Sequence, residues 1–354
     1  MANEQEEPVV IREAIARLVA GKNVTGEQAH QVALEILSGE ATPCQIASFL
    51  TALRMRGERV EHVVGFVRAM RDKAARIETP PGVVLDTCGT GGDELGTFNV
   101  STTAMFMAAG AGVRVAKHGN RAMSSRCGSA DVLTALGVRI DCSHALAERC
   151  LREIGICFLF APSYHLAMKH AVQPRRDIGH RTIFNMAGPL SNPAGATHQL
   201  IGVYDLSLCR MFAEVLRELG SQRALIVHGS DGLDEISTAE VTELTELRDG
   251  QIYSWSATPA DFGLEQPANV EDLLAGEDAR GNAEITAAIL RGEEKGPKAD
   301  IALVNAGAAI YVAGKAETIP EGVEIARRTI ASGAAYEKLE ELRRMTNLET
   351  SAHE

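Results

Sequence analysis

The chain has 354 residues, of which 45% are hydrophobic and 23% charged, the balance of a globular protein with a sizeable core. Its 35 Lys and Arg against 47 Asp and Glu give a formal net charge of −12, which argues against a general binder of nucleic acids or anionic membranes. Aromatic residues, at 4%, are too few for a base-stacking surface. A local cationic pocket for a small phosphorylated ligand stays compatible with this composition.

The first 75 or so residues carry helix patterns and no strand pattern. Thr25 and Thr42 each open a helix as a capping box with a glutamine three positions later, and Gly57 is a typical helix stop. Residues 60–75 form a third amphipathic pattern. We therefore predict a small all-helical N-terminal domain over residues 1–76, to which residues 163–190 contribute or cross back.

Beyond Pro80, short apolar runs alternate with helix patterns, which indicates an α/β fold whose central, mainly parallel sheet is flanked by helices. We predict strands at 83–85, 113–116, 157–160, 200–204, 224–228 and 301–304. Two helices split near Gly333 end the chain, and the stretch 163–190 contains a helix broken at Pro174. Residues 231–300 are expected to form surface strands and loops. The larger α/β domain then spans residues 77–162 and 191–354.

Seven cysteines without CxxC spacing predict reduced, mostly buried thiols. The acidic first ten residues lack the apolar segment of a secretory signal. The longest apolar run, 301–313, is shorter than the ~20 residues a spanning helix needs. We expect a cytoplasmic protein without a membrane partner.

The strongest chemical signal is the segment 86–102, DTCGTGGDELGTFNVST, which follows a strand and precedes a helix. Its glycines allow backbone N–H groups to approach an anion, and the polar NVST sequence lies where a helix N-terminus favours phosphate. Asp93 could accept ribose hydroxyls or hold a magnesium-bound water. No Gly-Lys-Ser/Thr follows, and Glu94 stands at the last glycine position of GxGxxG, so neither a Walker loop nor a dinucleotide fingerprint is predicted.

A second loop, 117–131, follows the next strand and supplies Lys117 and Arg121 as cationic donors in an acidic chain. Two such loops on neighbouring parallel strands meet at one sheet edge, which favours a joint site over a merely solvated loop.

A third segment, 164–193, holds Arg175, which could clamp a carboxylate, whereas Arg176 and Arg181 are expected to be surface residues. Asp234 and Glu235, after another strand, suit hydrated Mg²⁺.

The motifs DTCGTGGD, FNVST, KHGNRAMSS, GSADVL, PRRDIGHRTIFNMAGPLSNPA and GLDEIS, in this order, resemble those of the anthranilate phosphoribosyltransferase family from about residue 10 to 345. The resemblance implies transfer of phosphoribosyl from 5-phosphoribosyl diphosphate to the amino group of anthranilate, with Mg²⁺, in a homodimer formed through the helical domain. Two positions depart from the family pattern, Pro174 before the anthranilate arginine and Leu166 after His165.

Carried onto this chain, the resemblance implies a large set of donor-binding residues: Gly89, Gly92, Asp93, Thr97, Asn99, Val100, Ser101, Thr102, Lys117, His118, Gly119, Asn120, Arg121, Ala122, Met123, Ser124, Ser125 and Ser129. It implies anthranilate contacts by Gly89, Asn120 and Arg175, with His118, Gly188 and Pro189 nearby. Ser101, Asp234 and Glu235 would serve the metal. Lys117 and His118 are candidates for catalytic roles, and no general base is assigned.

Two other interpretations stay open at this point. A pyrimidine nucleoside phosphorylase shares the fold, but its Lys-x-Ser-Thr-Gly-Gly type of phosphate loop differs from Asp86-Thr-Cys-Gly here. A nucleic-acid-binding paralogue of the family is disfavoured by the net charge of −12 and the few aromatic residues.

Overall fold

The computed structural model describes residues 10–92, 95–122, 127–264 and 268–348. These residues divide into two compact units, one of residues up to 75 with 164–191, the other of 76–163 with 192 onward. The helices, in chain order, are α1 Ile11–Val19, α2 Gly26–Ser38, α3 Pro43–Arg56, α4 Val60–Lys73, α5 Val100–Gly110, α6 Ser129–Ala135, α7 His144–Glu153, α8 Ala161–Tyr164, α9 Lys169–Ile178, α10 Ile183–Ala187, α11 Ser207–Glu218, α12 Ala279–Leu290, α13 Pro297–Val312, α14 Ile319–Ala331 and α15 Ala334–Thr346. The strands are β1 Leu85–Gly89, β2 Val115–Gly119, β3 Ile156–Phe160, β4 His198–Gly202, β5 Arg223–Gly229, β6 Thr242–Arg248 and β7 Gln251–Ala257.

The first unit is helical, as predicted. The capping boxes at Thr25 and Thr42 are present, and each threonine Oγ1 accepts a hydrogen bond from the backbone N–H of the glutamine three residues on. Helices α2 and α4 approach closely at Gly65, where a Cβ would lie 2.5 Å from the Gly26 carbonyl oxygen. The core of this unit includes the stacked rings of Phe49 and Phe66, whose centroids are 6.2 Å apart.

The second unit is built on a seven-stranded sheet in the order β3-β2-β1-β4-β5-β6-β7. Its first five strands are parallel, while β6 and β7 add antiparallel strands at one side. The predicted α/β class is therefore confirmed. Helices α5 and α13 are buried along nearly their whole length, which explains their uniformly apolar sequences.

Three local predictions were wrong. The apolar run predicted as a strand at 301–304 lies inside α13, because a short buried apolar run has no period that separates strand from helix. Helix α9 continues through Pro174 instead of breaking there. The segment 231–300 contains, besides β6 and β7, the helix α12, whose N-cap Asp278 accepts a hydrogen bond from Gly281 N.

All seven cysteines lie in the described ranges and are free thiols, with Cys44 exposed and the other six buried. Within those same ranges, no helix combines the length and the apolar character needed to cross a membrane.

Candidate active site

The loops that sequence analysis singled out in the α/β unit follow β1, β2 and β5. These strands belong to the parallel part of the sheet, so their carboxyl ends lie at one edge. The loop after β1 bends through Gly91 and Gly92, whose φ angles of 64° and 82° are in the left-handed region that glycine tolerates. Asp93 and Glu94 lie outside the described residues.

The acidic pair after β5 contacts the first loop and the start of α5. Oδ2 of Asp234 accepts a hydrogen bond from Gly91 N at 2.8 Å, and Oε1 of Glu235 accepts one from Ser101 N at 3.0 Å. A carboxylate at the first turn of a helix is favoured by the free N–H groups and the helix dipole. The fold thus places Glu235 against Ser101 and Asp234 against the loop after β1, the three residues that the sequence predicts to serve a metal.

Two glycines make room for the acidic loop. A Cβ on Gly89 would lie 2.6 Å from Oδ2 of Asp234, and one on Gly202 would overlap the Asp234 carbonyl. Ile236 follows Glu235, and the buried Asn305 binds both of its backbone polar groups. Asn305 accepts a hydrogen bond from the Ile236 N–H at 2.9 Å and donates one to the Ile236 carbonyl at 3.1 Å. The acidic pair is therefore held on a rigid support.

Lys117 is 2% exposed, a rare environment for a lysine. Its Nζ donates hydrogen bonds to the Thr87 carbonyl and, at 3.2 Å, to the Ser101 hydroxyl. Burial lowers the pKa of Lys117, and the negative charge of Asp86 opposes that shift. The ammonium group thus sits beside the first turn of α5, where sequence analysis placed an anion.

Asp86 is fully buried beside Lys117. Burial raises the pKa of Asp86 to about 6, although the charge of Lys117 and hydrogen bonds from Asn192 and His118 favour its ionised form. A buried charge of this kind is tolerated because it is compensated by a partner of opposite charge and by hydrogen bonds.

The second loop is organised around Asp131 of α6. Its carboxylate accepts from the backbone N–H groups of Ala122 and Gly128, each at 3.0 Å, and pairs with Arg121 at 2.7 Å. Burial alone would raise the pKa of Asp131, but these hydrogen bonds outweigh burial and lower it. Arg121 is therefore paired within its own loop. A Cβ on Gly119 would overlap the Ser129 hydroxyl oxygen, so the hydroxyl packs directly against this glycine. Met123, Ser124 and Ser125 lie outside the described residues.

Two buried oxygens at the start of α5 have no hydrogen-bond partner among the described residues, Oδ1 of Asn99 and Oγ1 of Thr102. Asn99 is the N-cap residue, and its Nδ2 donates to the Cys127 carbonyl at 3.1 Å. Buried polar atoms normally have a hydrogen-bond partner. Two buried oxygens without one at the start of a helix therefore indicate a place where a polar ligand could bind. Thr97, also predicted here, pairs with Leu274 in an isolated antiparallel bridge.

Arg175 belongs to the helical unit, on α9. Its guanidinium carbon lies 5.4 Å from the centre of the Phe184 ring, and its NH2 group is 3.5 Å from Oδ1 of Asn185. Burial lowers the pKa of Arg175, yet an arginine stays charged at neutral pH. Gly188 and Pro189 directly follow α10 in the same unit. By contrast, Arg176 is exposed, as expected for a surface residue.

The remaining predicted residues of the described ranges lie together. Gly89, Gly92, Val100, His118 and Asn120 lie at the carboxyl edge of the sheet in the α/β unit, on or beside β1, β2 and α5. His118 is 8% exposed and its backbone N–H donates to Asp86. Over the residues that the structure describes, no group of three or more His, Cys, Asp or Glu side chains could hold a metal by itself.

Asn192 and Asn305 both organise this edge, although neither was predicted from the sequence. Nδ2 of Asn192 donates to the Asp86 carboxylate, and Asn305 anchors the acidic loop. A signal for Asn305 was present, since it is the one polar residue in the apolar run 301–313. Asn192 carries no such signal, because asparagine is common in turns.

Comparison with known proteins gives family matches along most of the chain. A model described as glycosyl transferase family, a/b domain, matches residues 81–336, and the helical bundle domain of the same family matches residues 12–74. An anthranilate phosphoribosyltransferase of Desulfotalea psychrophila is 52% identical over 335 residues, covering 94% of this chain and 96% of the relative. One of Desulfosudis oleivorans is 50% identical over 330 residues, covering 93% and 97%.

Solved structures agree with these matches. The anthranilate phosphoribosyltransferase of Thermus thermophilus has a TM-score of 0.89 at 41% identity, covering 94% of this chain and 99% of that one. The Saccharomyces cerevisiae enzyme, solved in complex with PRPP and Mg, has a TM-score of 0.88 at 27% identity, covering 95% and 98%. The helical bundle, the α/β domain and the similarity over nearly the full length together place this chain in the anthranilate phosphoribosyltransferase family.

Proposed function

We propose that this enzyme transfers the phosphoribosyl group of 5-phosphoribosyl diphosphate to the amino group of anthranilate, giving N-(5-phosphoribosyl)anthranilate and diphosphate, the second step of tryptophan synthesis from chorismate. The near-full-length relatives named for this activity support it. The strongest support within the fold is Lys117, a buried ammonium that contacts the Ser101 hydroxyl at the start of α5. Neither alternative, phosphorylase or nucleic-acid binder, gains support from these relatives.

The donor is proposed to bind at the carboxyl edge of the sheet in the α/β unit. Gly89 and Gly92, with Asp93 and Thr97, would line the loop after β1. Asn99, Val100, Ser101 and Thr102 would present the helix start. The remaining donor contacts are proposed for Lys117, His118, Gly119, Asn120, Arg121, Ala122, Met123, Ser124, Ser125 and Ser129.

Ser101, Asp234 and Glu235 offer a hydroxyl and two carboxylates, the oxygen ligands that Mg²⁺ prefers, and Asp234 and Glu235 are fixed beside the phosphate-binding loop. We propose that they hold Mg²⁺, with substrate phosphates and water completing its coordination. Bound Mg²⁺ would neutralise charge on the diphosphate. The complex of the yeast relative with PRPP and Mg supports this assignment.

In the reaction, the bond from C1′ to the diphosphate oxygen breaks and the anthranilate nitrogen bonds to C1′ from the opposite face. Lys117 would stabilise the charge that gathers on the departing diphosphate, and its burial strengthens that interaction. The aniline nitrogen is already nucleophilic, so no strong base is needed before attack. His118 is the candidate acceptor for the proton that this nitrogen loses. Positioning of the two substrates would supply much of the rate.

Anthranilate is proposed to place its carboxylate on Arg175, with Gly188 and Pro189 nearby on the helical unit and Gly89, Asn120 and His118 as further contacts. A guanidinium offers a carboxylate two parallel N–H donors. Phe184 and Asn185 fix the guanidinium in place. An orientation fixed before binding reduces the entropy lost when the ligand arrives.

We also propose a homodimer formed through the helical unit. Val19 on α1 and Met55 on α3, two helices that pack on each other, are 76% and 82% exposed. Exposed large apolar side chains grouped on one unit are typical of a protein interface. Light scattering would give the mass of two chains. A cytoplasmic location is proposed with this biosynthetic role.

The assignment is tested by product analysis. Incubation with anthranilate, 5-phosphoribosyl diphosphate and Mg²⁺ should yield phosphoribosylanthranilate and diphosphate in equal amounts. Parallel reactions with phosphate and thymidine or uridine should yield no free base. Release of free base without use of anthranilate would favour the phosphorylase instead.

A further inference from the structure

The sheet of the α/β unit is locally open between β1 and β2. Pairing of these strands is limited to Leu85 opposite Val115. In contrast, β1 pairs with β4, and β2 with β3, over five positions each. The two strands that carry the donor loops are therefore the ones least joined by backbone pairing.

Side chains take the place of backbone pairing in this opening. Oδ1 of Asp86 accepts from the backbone N–H of His118 at 3.1 Å. Nδ2 of Asn192 donates both to Oδ2 of Asp86, at 2.7 Å, and to the Ala116 carbonyl, at 2.8 Å. Asp86 and Asn192 are 0% and 4% exposed. Together they form a buried wedge, Asp86–Asn192, that links the two strands.

The Asn192 side chain of the wedge is held by a further hydrogen bond. Oδ1 of Asn192 accepts from the backbone N–H of Ala194 at 2.8 Å, so three hydrogen bonds orient this amide. Two of them require the NH₂ group and one requires the oxygen. No other side chain of similar size offers that combination.

The opening also determines where Lys117 points. From β2, its Nζ crosses to the Thr87 carbonyl of β1 and reaches the Ser101 hydroxyl. An ordinary parallel ladder between residues 86–89 and 116–119 would use the Thr87 carbonyl in backbone pairing. The interrupted pairing of the strands and the position of the ammonium are therefore linked.

We propose that Asn192 is a positioning residue of the phosphoribosyl-donor site: with Asp86 it replaces backbone pairing between β1 and β2, so that the Thr87 carbonyl stays available to hold the Lys117 ammonium beside the start of α5. The inference rests on the proposed function, since it assigns the donor to this edge. Asn192 is buried, so we infer that it acts through Asp86 and not by contact with the substrate. Its loss should weaken donor binding more than anthranilate binding.

A reciprocal exchange tests the wedge. Asn192→Asp sets two carboxylates against each other, and Asp86→Asn sets two NH₂ groups against each other. The double variant Asp86→Asn/Asn192→Asp restores one donor facing one acceptor between the two side chains and keeps the net charge, but it loses the hydrogen bond to the Ala116 carbonyl. Each single variant should raise the KM for 5-phosphoribosyl diphosphate about tenfold, from the loss of a buried charged hydrogen bond. The double variant should lose less donor affinity than the sum of the two single losses, and the anthranilate KM should rise less than the donor KM throughout, although Gly89 and His118 on the same strands are proposed anthranilate contacts.

The matched control is Thr245→Val, which removes a buried hydroxyl of β6 that bonds Ser254 at 3.0 Å. It should lower the melting temperature without changing the donor KM. Additive effects of the two single exchanges, or equal rises in both KM values, would overturn the proposal. If a single variant fails to fold, Asn192→Ser replaces it. An unchanged donor KM in that variant would equally overturn the proposal.

Calorimetric titration with Mg²⁺ and 5-phosphoribosyl diphosphate, without anthranilate, measures donor binding directly. Because it needs no turnover, it keeps the result distinct from a failure of the proposed activity.

Discussion

Glu235 and Ser101 are 134 residues apart in the chain, yet Oε1 of Glu235 accepts a hydrogen bond from Ser101 N at 3.0 Å. This contact joins the acidic loop after β5 to the first turn of α5. It places a carboxylate and a hydroxyl side by side at the edge of the sheet where the donor is proposed to bind. The first prediction follows from the charge of that carboxylate.

Glu235→Gln keeps an oxygen that can accept from Ser101 N but removes the negative charge. We expect the Mg²⁺ concentration for half-maximal activity to rise about tenfold, since Mg²⁺ prefers charged oxygen ligands. The melting temperature should change little. Asp234→Ala/Glu235→Ala should abolish most of the metal-dependent activity. A wild-type Mg²⁺ titration curve in that double variant would remove the pair from the metal site, and Glu243→Gln is the control.

Gly89→Ala tests the close approach of the two loops. The new Cβ would lie 2.6 Å from Oδ2 of Asp234, so the carboxylate must move away from Gly91 N. We expect kcat/KM for the donor to fall at least about tenfold, because misplaced groups near the chemistry are costly. Gly296→Ala is the matched control, since its Cβ would meet only the flexible Glu294 side chain, at 2.9 Å. Equal activity of the two variants would contradict the assignment of the loop after β1 and Asp234 to the donor site.

Arg175→Ala should raise the KM for anthranilate far more than the KM for 5-phosphoribosyl diphosphate. Loss of a charged hydrogen bond to a carboxylate is worth roughly 1.5–3 kcal/mol, or about ten- to a hundredfold. Arg176→Ala, at the exposed neighbouring position, serves as the control and should leave both constants near wild type. An anthranilate KM that does not move in Arg175→Ala would exclude this arginine from the acceptor site.

The pKa of Asp86 predicts a dependence of stability on pH. Burial raises this pKa from 3.8 to about 6, so the folded state binds a proton more tightly than the unfolded state. The resulting stabilisation is complete below about pH 3.8 and is lost as the pH rises through 6. Relative to Asp86→Asn, the wild type should therefore lose up to about 3 kcal/mol of unfolding free energy between pH 4 and 7.

Urea unfolding at pH 4, 5, 6 and 7 measures that difference. Asp131→Asn is a control of opposite sign, because the pKa of Asp131 is lowered and its contribution is lost as the pH falls. A difference between wild type and Asp86→Asn that stays constant with pH would contradict the raised pKa.

Much of the fold was predictable from local pattern. Capping threonines located the starts of α2 and α3, and alternating strand and helix patterns identified the parallel sheet. Strand ends were less predictable: β1 and β2 continue into Asp86 and Lys117, polar residues whose burial depends on each other. A sequence pattern cannot reveal such mutual compensation, because the partners come from separate segments.

The same reasoning applies to the candidate site. The glycine loop, Lys117 and the acidic pair follow from residue types placed after strands, and the structure brings them to one edge. The proposed role of Asn192 depends on two hydrogen bonds to distant segments, to Asp86 and to the Ala116 carbonyl, so only the folded chain reveals it.

Transfer of phosphoribosyl from its diphosphate to anthranilate is measured most directly by the loss of anthranilate fluorescence. With enzyme, 5-phosphoribosyl diphosphate and Mg²⁺ all present, the fluorescence should decay at a rate proportional to enzyme concentration. Omission of the donor, or removal of Mg²⁺ by a chelator, should stop the decay. Fluorescence that stays constant in the complete mixture, with the enzyme folded, would contradict the proposed function.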